Sequence, residues 1–192
     1  MTTAVDRTTG LMTECGALLK GHFRLSSGLH SDEYWQCAKV AEHPEVSEKI
    51  GRMLADLFRD EAIDVVASPA IGGIVIGYEV ARALGVRAIW AERVDGTMVL
   101  RRGFAVQPGE RVLIIEDVVT TGGSVREVAS AVKEAGAEIV GFGFIVDRSR
   151  QPLDLPGPTK ALLESRDMKT YDPDTCPLCA DGVPVVKPGS RA

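Results

Sequence analysis

Residues 111–124 read Arg-Val-Leu-Ile-Ile-Glu-Asp-Val-Val-Thr-Thr-Gly-Gly-Ser. The apolar half predicts a buried strand over residues 111–117, and the residues after the glycines predict a helix from Ser124 to Ala135 with Gly136 closing it. A strand that passes through a short turn into a helix is half of a β–α–β unit, so this stretch points to a parallel sheet covered by helices. The turn also carries chemistry. Thr120, Thr121 and Ser124 bring hydroxyl donors, and Gly122 and Gly123 let a ligand approach the backbone without meeting a Cβ. The start of a helix presents free N–H groups and the positive end of its dipole, which suits a phosphate. Glu116 and Asp117 beside it suit sugar hydroxyls or a magnesium ion. A site with a phosphate at one end and a polyol at the other describes a ribose 5-phosphate. The rival phosphate loops are missing: no G-x-x-x-x-G-K-[ST] occurs, and no G-x-G-x-x-G follows a strand.

The rest of the chain repeats the alternation. Val5, Leu11, Met12, Ala17, Leu18 and Leu19 predict a helix over residues 5–20, stopped by Gly21. His22 to Ser31 reads as a short strand and a turn, and Tyr34 to Val40 as a second strand. Pro44 to Asp60 is helical, with Val46, Ile50, Met53, Leu54, Leu57 and Phe58 on one side. Val65 to Ser68 is a buried strand, Pro69 to Gly73 a loop, Ile74 to Leu84 a helix ended by Gly85, and Val86 to Ala91 the next strand. Glu138 to Val146 is apolar enough for the centre of the sheet, and the chain from Gln151 onward reads as Pro-rich and irregular. Ligands of parallel sheets bind at the C-terminal ends of the strands. The loops there begin at Ser68, Glu92, Glu116 and Asp147.

Composition removes several alternatives. A chain of 192 residues is one domain, 1–192, and 45% hydrophobic residues can fill a core. The net charge is −5 with no basic tract, which argues against nucleic acid as a partner. An acidic protein must then bind a polyanion through local features: loop amides, a few arginines and Mg²⁺. No apolar run is long enough to span a bilayer, and residues 1–7 lack the apolar segment of a signal peptide. Four cysteines are too few for a disulfide scaffold at this size, so a reducing cytoplasm is expected.

The stretch from Glu116 to Ser124 resembles the phosphoribosyl diphosphate (PRPP) signature of the type I phosphoribosyltransferases. The resemblance implies their parallel-sheet α/β fold, a core over about residues 44–150, and a small hood from about residues 1–40 and 161–192. It implies that Glu116 and Asp117 hold the ribose hydroxyls, with Asp117 catalytic. It also implies that Val118, Val119, Thr120, Thr121, Gly122, Gly123 and Ser124 wrap the 5-phosphate. Other segments narrow the family. Phe23-Arg24-Leu25-Ser26-Ser27-Gly28, with Ser31 and Tyr34, resembles the hood segment of orotate phosphoribosyltransferases, and Asp147-Arg148-Ser149 resembles the segment that sets an arginine on the orotate carboxylate. The tail, Cys176-Pro177-Leu178-Cys179 with Gly182, Pro184 and Lys187 to Arg191, resembles a bacterial branch of that family. The implied activity is phosphoribosyl transfer from PRPP to orotate in UMP synthesis. Arg148 and Thr120 would contact orotate, Mg²⁺ would be held mainly by PRPP and water, and a homodimer would form. The carboxylate of orotate fits a forked guanidinium independently of the resemblance. Tyr34 and Trp35 would back the flat ring, or else serve as core or dimer-interface aromatics. A purine phosphoribosyltransferase shares the phosphate loop, and a PRPP-sensing regulator would share the fold without catalysis.

The chain departs from the family in its cations. Orotate enzymes usually close a loop with lysines and a histidine over the diphosphate, but here residues 50–132 contain neither. Ser26 stands where the family often has a lysine, and Ser68 to Gly73 lacks one too. The candidate closing loop, residues 92–104, offers Arg93, Arg101 and Arg102, which are expected to clamp the diphosphate as catalytic cations. Cys176 and Cys179 form half of a zinc site, but no second C-x-x-C pair exists, so an inert turn is expected. The three histidines read as surface or interface residues, with only His30, in the hood turn, one to watch.

Overall fold

The computed structural model describes residues 3–25, 27–165 and 168–188. Its centre is a six-stranded sheet in the order β5-β4-β3-β6-β7-β8. Its strands are β3 (Val65–Pro69), β4 (Arg87–Val94), β5 (Thr97–Leu100), β6 (Arg111–Val119), β7 (Glu138–Asp147) and β8 (Thr159–Glu164). All neighbours are parallel except β4 and β5. The inner strands are apolar on both faces because helices cover both. Val66, Leu113 and Ile115 point into one core with Ile50 and Leu54 of α3 (Pro44–Asp56) and Ile76 and Val80 of α4 (Gly73–Leu84). Val65, Ala67, Val112 and Ile114 point into the other with Val125, Val128 and Val132 of α5 (Gly123–Glu134). The alternation is the period-two pleat of a strand. The crossovers through α4 and α5 run outward in opposite directions from β3 and β6. The strand order therefore reverses between these two strands, and a crevice opens at their C-terminal ends.

A second, two-stranded antiparallel sheet joins β1 (Leu18–Arg24) to β2 (His30–Trp35). The chain's last described segment lies along it: Tyr171 bridges His30 and Val186 bridges Phe23. Short helices α2 (Ala38–Ala41) and α6 (Pro177–Ala180) complete the elements with α1 (Ala4–Glu14).

Several predicted boundaries move. The first helix ends at Glu14, six residues early, because Gly16 turns left-handed at φ 70°. Leu18 and Leu19 then pair with Trp35 and Tyr34 as a strand. The strand expected over residues 34–40 is instead the end of β2 and a helical turn. The edge strand β5 was not foreseen, although Asp95-Gly96 is a strong hairpin signal, and both residues take the positive φ of a two-residue turn, 48° and 89°. The region after Gln151 is not wholly irregular either. It supplies β8, whose two buried leucines, 162 and 163, are too few to stand out between Pro158 and the polar residues that follow.

Candidate active site

Glu116 and Asp117 reach the crevice on β6. The strand runs on past them, since Val118 still pairs with Val146 and Val119 with Asp147. The side chains of Val118 and Val119 pack into the two cores, so these two residues offer a ligand only their backbone. The turn is Thr120 to Gly122, with both threonines exposed and the glycine buried. Gly122 adopts φ 73°, which favours glycine, and a Cβ there would lie 3.2 Å from Leu153 Cδ2, which would have to shift by a few tenths of an ångström. Gly123 opens α5, whose N-terminus has no side-chain cap, and Ser124 lies half-buried in its first turn. The loop after β3 comes close from the other side of the crevice. A Cβ on Gly72 would sit 2.9 Å from Asp117 Oδ2.

This packing sets the electrostatics of the acids. Burial, and then the charge of Asp117, pushes the Glu116 carboxyl up to about 8. Burial raises Asp117 as well, outweighing the amide of Val118, which donates to Asp117 Oδ1 at 2.8 Å. Among the described residues neither carboxylate has an ion-pair partner. A pair of acids held above its ordinary range fits a ligand that brings hydroxyl donors, or a hydrated divalent cation.

A cavity of about 800 Å³ opens beside the turn. Thr120, Thr121 and Arg126 form one wall, Arg148, Arg150 and residues 151–154 another, and Leu25, Ser27, Leu29 and Tyr34 of the hairpin a third. Its size suits a small-molecule ligand. Arg148 follows β7 directly, and its amide donates to Val119 O at 2.9 Å, which locks it beside Thr120. Its Nε is buried with no hydrogen-bond partner among the described residues, and burial lowers its pKa. A half-buried guanidinium in that state favours an anionic ligand. Tyr34 lines the cavity whereas Trp35 is core, its Nε1 donating to Ser165 Oγ at 3.2 Å. Trp35 thus takes the core role, while Tyr34 faces the cavity.

Arg126 and Arg150 were missed from sequence. Arg126 Nε donates to Asp154 O at 3.0 Å and its Nη2 to Thr121 O at 3.4 Å, bracing the turn. Arg150 Nη2 donates to Thr170 Oγ1 at 2.6 Å. The position of Arg126 within the first turns of α5 was a legible signal; that of Arg150 depends on the fold around it.

The expected arginine clamp lies elsewhere. Residues 92–104 form the end of β4, a tight turn, β5 and a short turn, and none of Arg93, Arg101 and Arg102 lines the cavity. Arg93 pairs with Glu127 at 2.8 Å, while Arg101 and Arg102 both pair with Glu92, Arg101 at 3.8 Å. The hydrogen bond from Arg102 holds Glu92 below the usual carboxylate range.

The expectation for the histidines does not hold at two positions. His22 and His30 are buried, and together with Cys176 and Cys179 they form one cluster. The partners of the C-x-x-C pair are thus two histidines of the distant hairpin, which a search for a second cysteine pair passes over. Ser26 and the tail residues Gly189, Ser190 and Arg191 lie outside the described residues.

Comparison with known proteins agrees with this geometry. The phosphoribosyl transferase domain family matches residues 37–170. The chain is 54% identical over 186 residues to the orotate phosphoribosyltransferase of Pelotomaculum thermopropionicum, covering 97% of each chain. Among solved structures, the orotate phosphoribosyltransferase of Mycobacterium tuberculosis superposes with a TM-score of 0.70 at 24% identity, over 86% of this chain and 98% of that one. An adenine phosphoribosyltransferase from Rhodothermus marinus superposes with a TM-score of 0.63 at 23% identity, over 81% and 98%. The fold is thus shared across bases. The chain belongs to the phosphoribosyltransferases and, by its close relatives, to the orotate phosphoribosyltransferase family.

Proposed function

We propose that this chain transfers the phosphoribosyl group of PRPP to orotate, releasing diphosphate and forming orotidine 5-phosphate on the route to UMP. The observation that carries the choice of base is Arg148, half-buried on the wall of a cavity it shares with Thr120 and Tyr34, with a buried Nε that has no hydrogen-bond partner among the described residues. Orotate offers a carboxylate to that fork and a flat ring to the tyrosine. The 5-phosphate would rest on Thr120, Thr121, Gly122, Gly123 and the start of α5. Glu116 and Asp117 would accept hydrogen bonds from the ribose hydroxyls.

No nucleophilic side chain is required, because a ring nitrogen of orotate attacks C1 as the C1–O bond to diphosphate breaks. Positive charge develops on the sugar, as in glycoside transfer. Asp117, ionised by its ligand, is placed to stabilise that charge. Catalysis is then mostly positioning and electrostatics. Mg²⁺ would be held chiefly by the phosphates and water, and when bound would neutralise charge on the leaving diphosphate. The acidic pair fits such an ion at its edge.

The hairpin arginines would complete the clamp only by leaving Glu92 and Glu127. We assign the hood to residues 1–40 and 161–192 and the core to 44–150, within one domain. Ile71, Val75 and Tyr78 leave an exposed apolar stripe along α4 and the loop before it, which supports a homodimer. We assign the enzyme to the cytoplasm; among the described residues no helix is long and apolar enough to cross a membrane.

The test is PRPP-dependent loss of orotate absorbance, run beside adenine, hypoxanthine and uracil. Turnover with orotate alone is expected. The Arg148→Ala variant should raise the KM for orotate roughly a hundredfold and leave the KM for PRPP within a few-fold, because removing one side of a charged pair is worth a few kcal/mol. Turnover with a purine would move the assignment to another base, and none with any base would favour a PRPP-sensing role.

A further inference from the structure

We propose that His22, His30, Cys176 and Cys179 bind one structural zinc ion, which fastens the C-terminal segment to the β1–β2 hairpin. The four residues come from opposite ends of the chain. His22 lies on β1, His30 opens β2, and the cysteines, in a C-x-x-C spacing, are the N-cap of α6 and a residue within it. Their ligand atoms all lie within 4.8 Å of one another. Cys179 Sγ is 3.3 Å from His30 Nδ1 and 3.8 Å from His22 Nε2, and Cys176 Sγ is 3.5 Å from His22 Nε2. A tetrahedral zinc with two nitrogens and two sulfurs has ligand-to-ligand edges of roughly 3.3–3.8 Å, given its usual bond lengths. Three of the four sulfur–nitrogen edges fit without adjustment, and the remaining edges lie within the 4.8 Å limit. The nitrogen–nitrogen edge is 2.8 Å and would open by about half an ångström around the ion.

The surroundings favour a metal over a hydrogen-bonded cluster. His22 Nδ1 lies 2.7 Å from Val183 O, a carbonyl that can only accept, so the proton sits on Nδ1 and the Nε2 lone pair faces the cluster. That second contact is the usual support of a metal-bound imidazole. A lone pair on His22 Nε2, a ring nitrogen of His30 and two thiols then converge on one point. His22, His30 and Cys176 are buried, and Cys179 is exposed, which gives an ion a path of entry. Four ligands of this kind close a tetrahedral site, the structural form of zinc, and mixed thiolate and imidazole donors select zinc over magnesium or calcium.

The ion would act on the fold behind the cavity. Backbone hydrogen bonds already pair Arg24 with Val186 at 2.8 Å and His30 with Tyr171 at 2.9 Å. The same hairpin puts Leu25, Ser27, Leu29 and Tyr34 on the cavity wall. Zinc would hold that wall in register from its far side without touching substrate. For this reason its failure and the failure of the orotate assignment can be told apart.

The experiment measures metal content in the full-length protein, purified without chelator. One zinc per chain is expected by mass spectrometry of the metals. After removal, titration with Co²⁺ should give the visible bands of a tetrahedral site and thiolate-to-cobalt charge transfer at one equivalent. Cys179→Ser and His30→Ala should each lose stoichiometric metal, while Cys15→Ala should retain it. Should those two variants fail to fold, wild-type protein freed of metal serves alone: amide exchange should rise across residues 18–35 and 170–188 and stay unchanged across 111–134. Native protein without stoichiometric metal that also fails to take up Zn²⁺ or Co²⁺ overturns the proposal. So does a disulfide between Cys176 and Cys179, zinc that survives both substitutions, or stoichiometric copper or iron instead.

Discussion

Two charged connections leave the sheet at its C-terminal side: one after β4, expected over the diphosphate, and one after β6, expected on the ribose hydroxyls and the 5-phosphate. After β6, Glu116 and Asp117 have no cationic partner among the described residues, both are pushed above their ordinary range, and the turn that follows lines the cavity. After β4, Arg93 is paired with Glu127, and Arg101 and Arg102 are paired with Glu92. The first segment holds acids that burial biases toward the protonated form until a ligand complements their charge. The second is neutralised by its own neighbours. A pre-formed binding site and a clamp differ in this way. A site keeps its groups unpaired before the ligand arrives, and a clamp must exchange an internal partner for an external one.

The difference can be broken most severely at Gly122. Gly122→Val puts a branched side chain at φ 73° with Leu153 in contact distance, and it should lower PRPP affinity by about a hundredfold or more by titration calorimetry. Wild-type affinity in this variant would move the phosphate site away from the turn. Asp117→Asn should fold normally and lose roughly two orders of magnitude in turnover, because it removes the charge while keeping the shape.

On the hairpin, smaller effects are expected. Replacing Arg101 and Arg102 together by alanine should lower turnover about tenfold and leave ground-state PRPP affinity nearly unchanged, the mark of a group used only in the transition state. Mixed dimers of this variant with an Asp117→Asn partner would tell whether the hairpin serves its own or the neighbouring site. Full turnover in the double variant would remove the hairpin from the mechanism.

The smallest effect is on stability. Glu116 titrates near 8 in the folded protein and near 4.5 when exposed. The folded state therefore binds its proton more tightly, and the stability this confers is complete below pH 4.5 and lost as pH rises to about 8. Glu116→Gln should thus raise the melting temperature by several degrees at pH 8, at roughly 2–4 °C per kcal/mol for a chain of this size, and hardly change it at pH 4. An equal gain at both pH values would mean that packing, not charge, is responsible.

Much of this was legible before any coordinates, because the information was local. The β6 run, its acids, the glycine turn and α5 are contiguous, so period, turn chemistry and helix polarity point to one site. Arg148 was legible for the same reason, as the residue that follows an apolar strand. β8 escaped because an edge strand with one half-buried face carries little apolar pattern, and β5 because its Asp-Gly turn lay inside a segment expected to be a mobile loop.

What the sequence by itself determined is the parallel α/β core, the glycine turn after β6 and the acids that precede it, since these follow from patterns a few residues long. Tertiary structure alone decided which charges already had partners and which residues far apart in the chain meet. Glu92 neutralises arginines 9 and 10 positions later only because β4 and β5 fold back on each other. His22 and His30 find Cys176 and Cys179 only because the end of the chain pairs with the hairpin near its start. A residue type states what a side chain can bind, whereas the partner it meets is a matter of distance, and distances between remote segments exist only once the backbone hydrogen bonds and the two cores have set them.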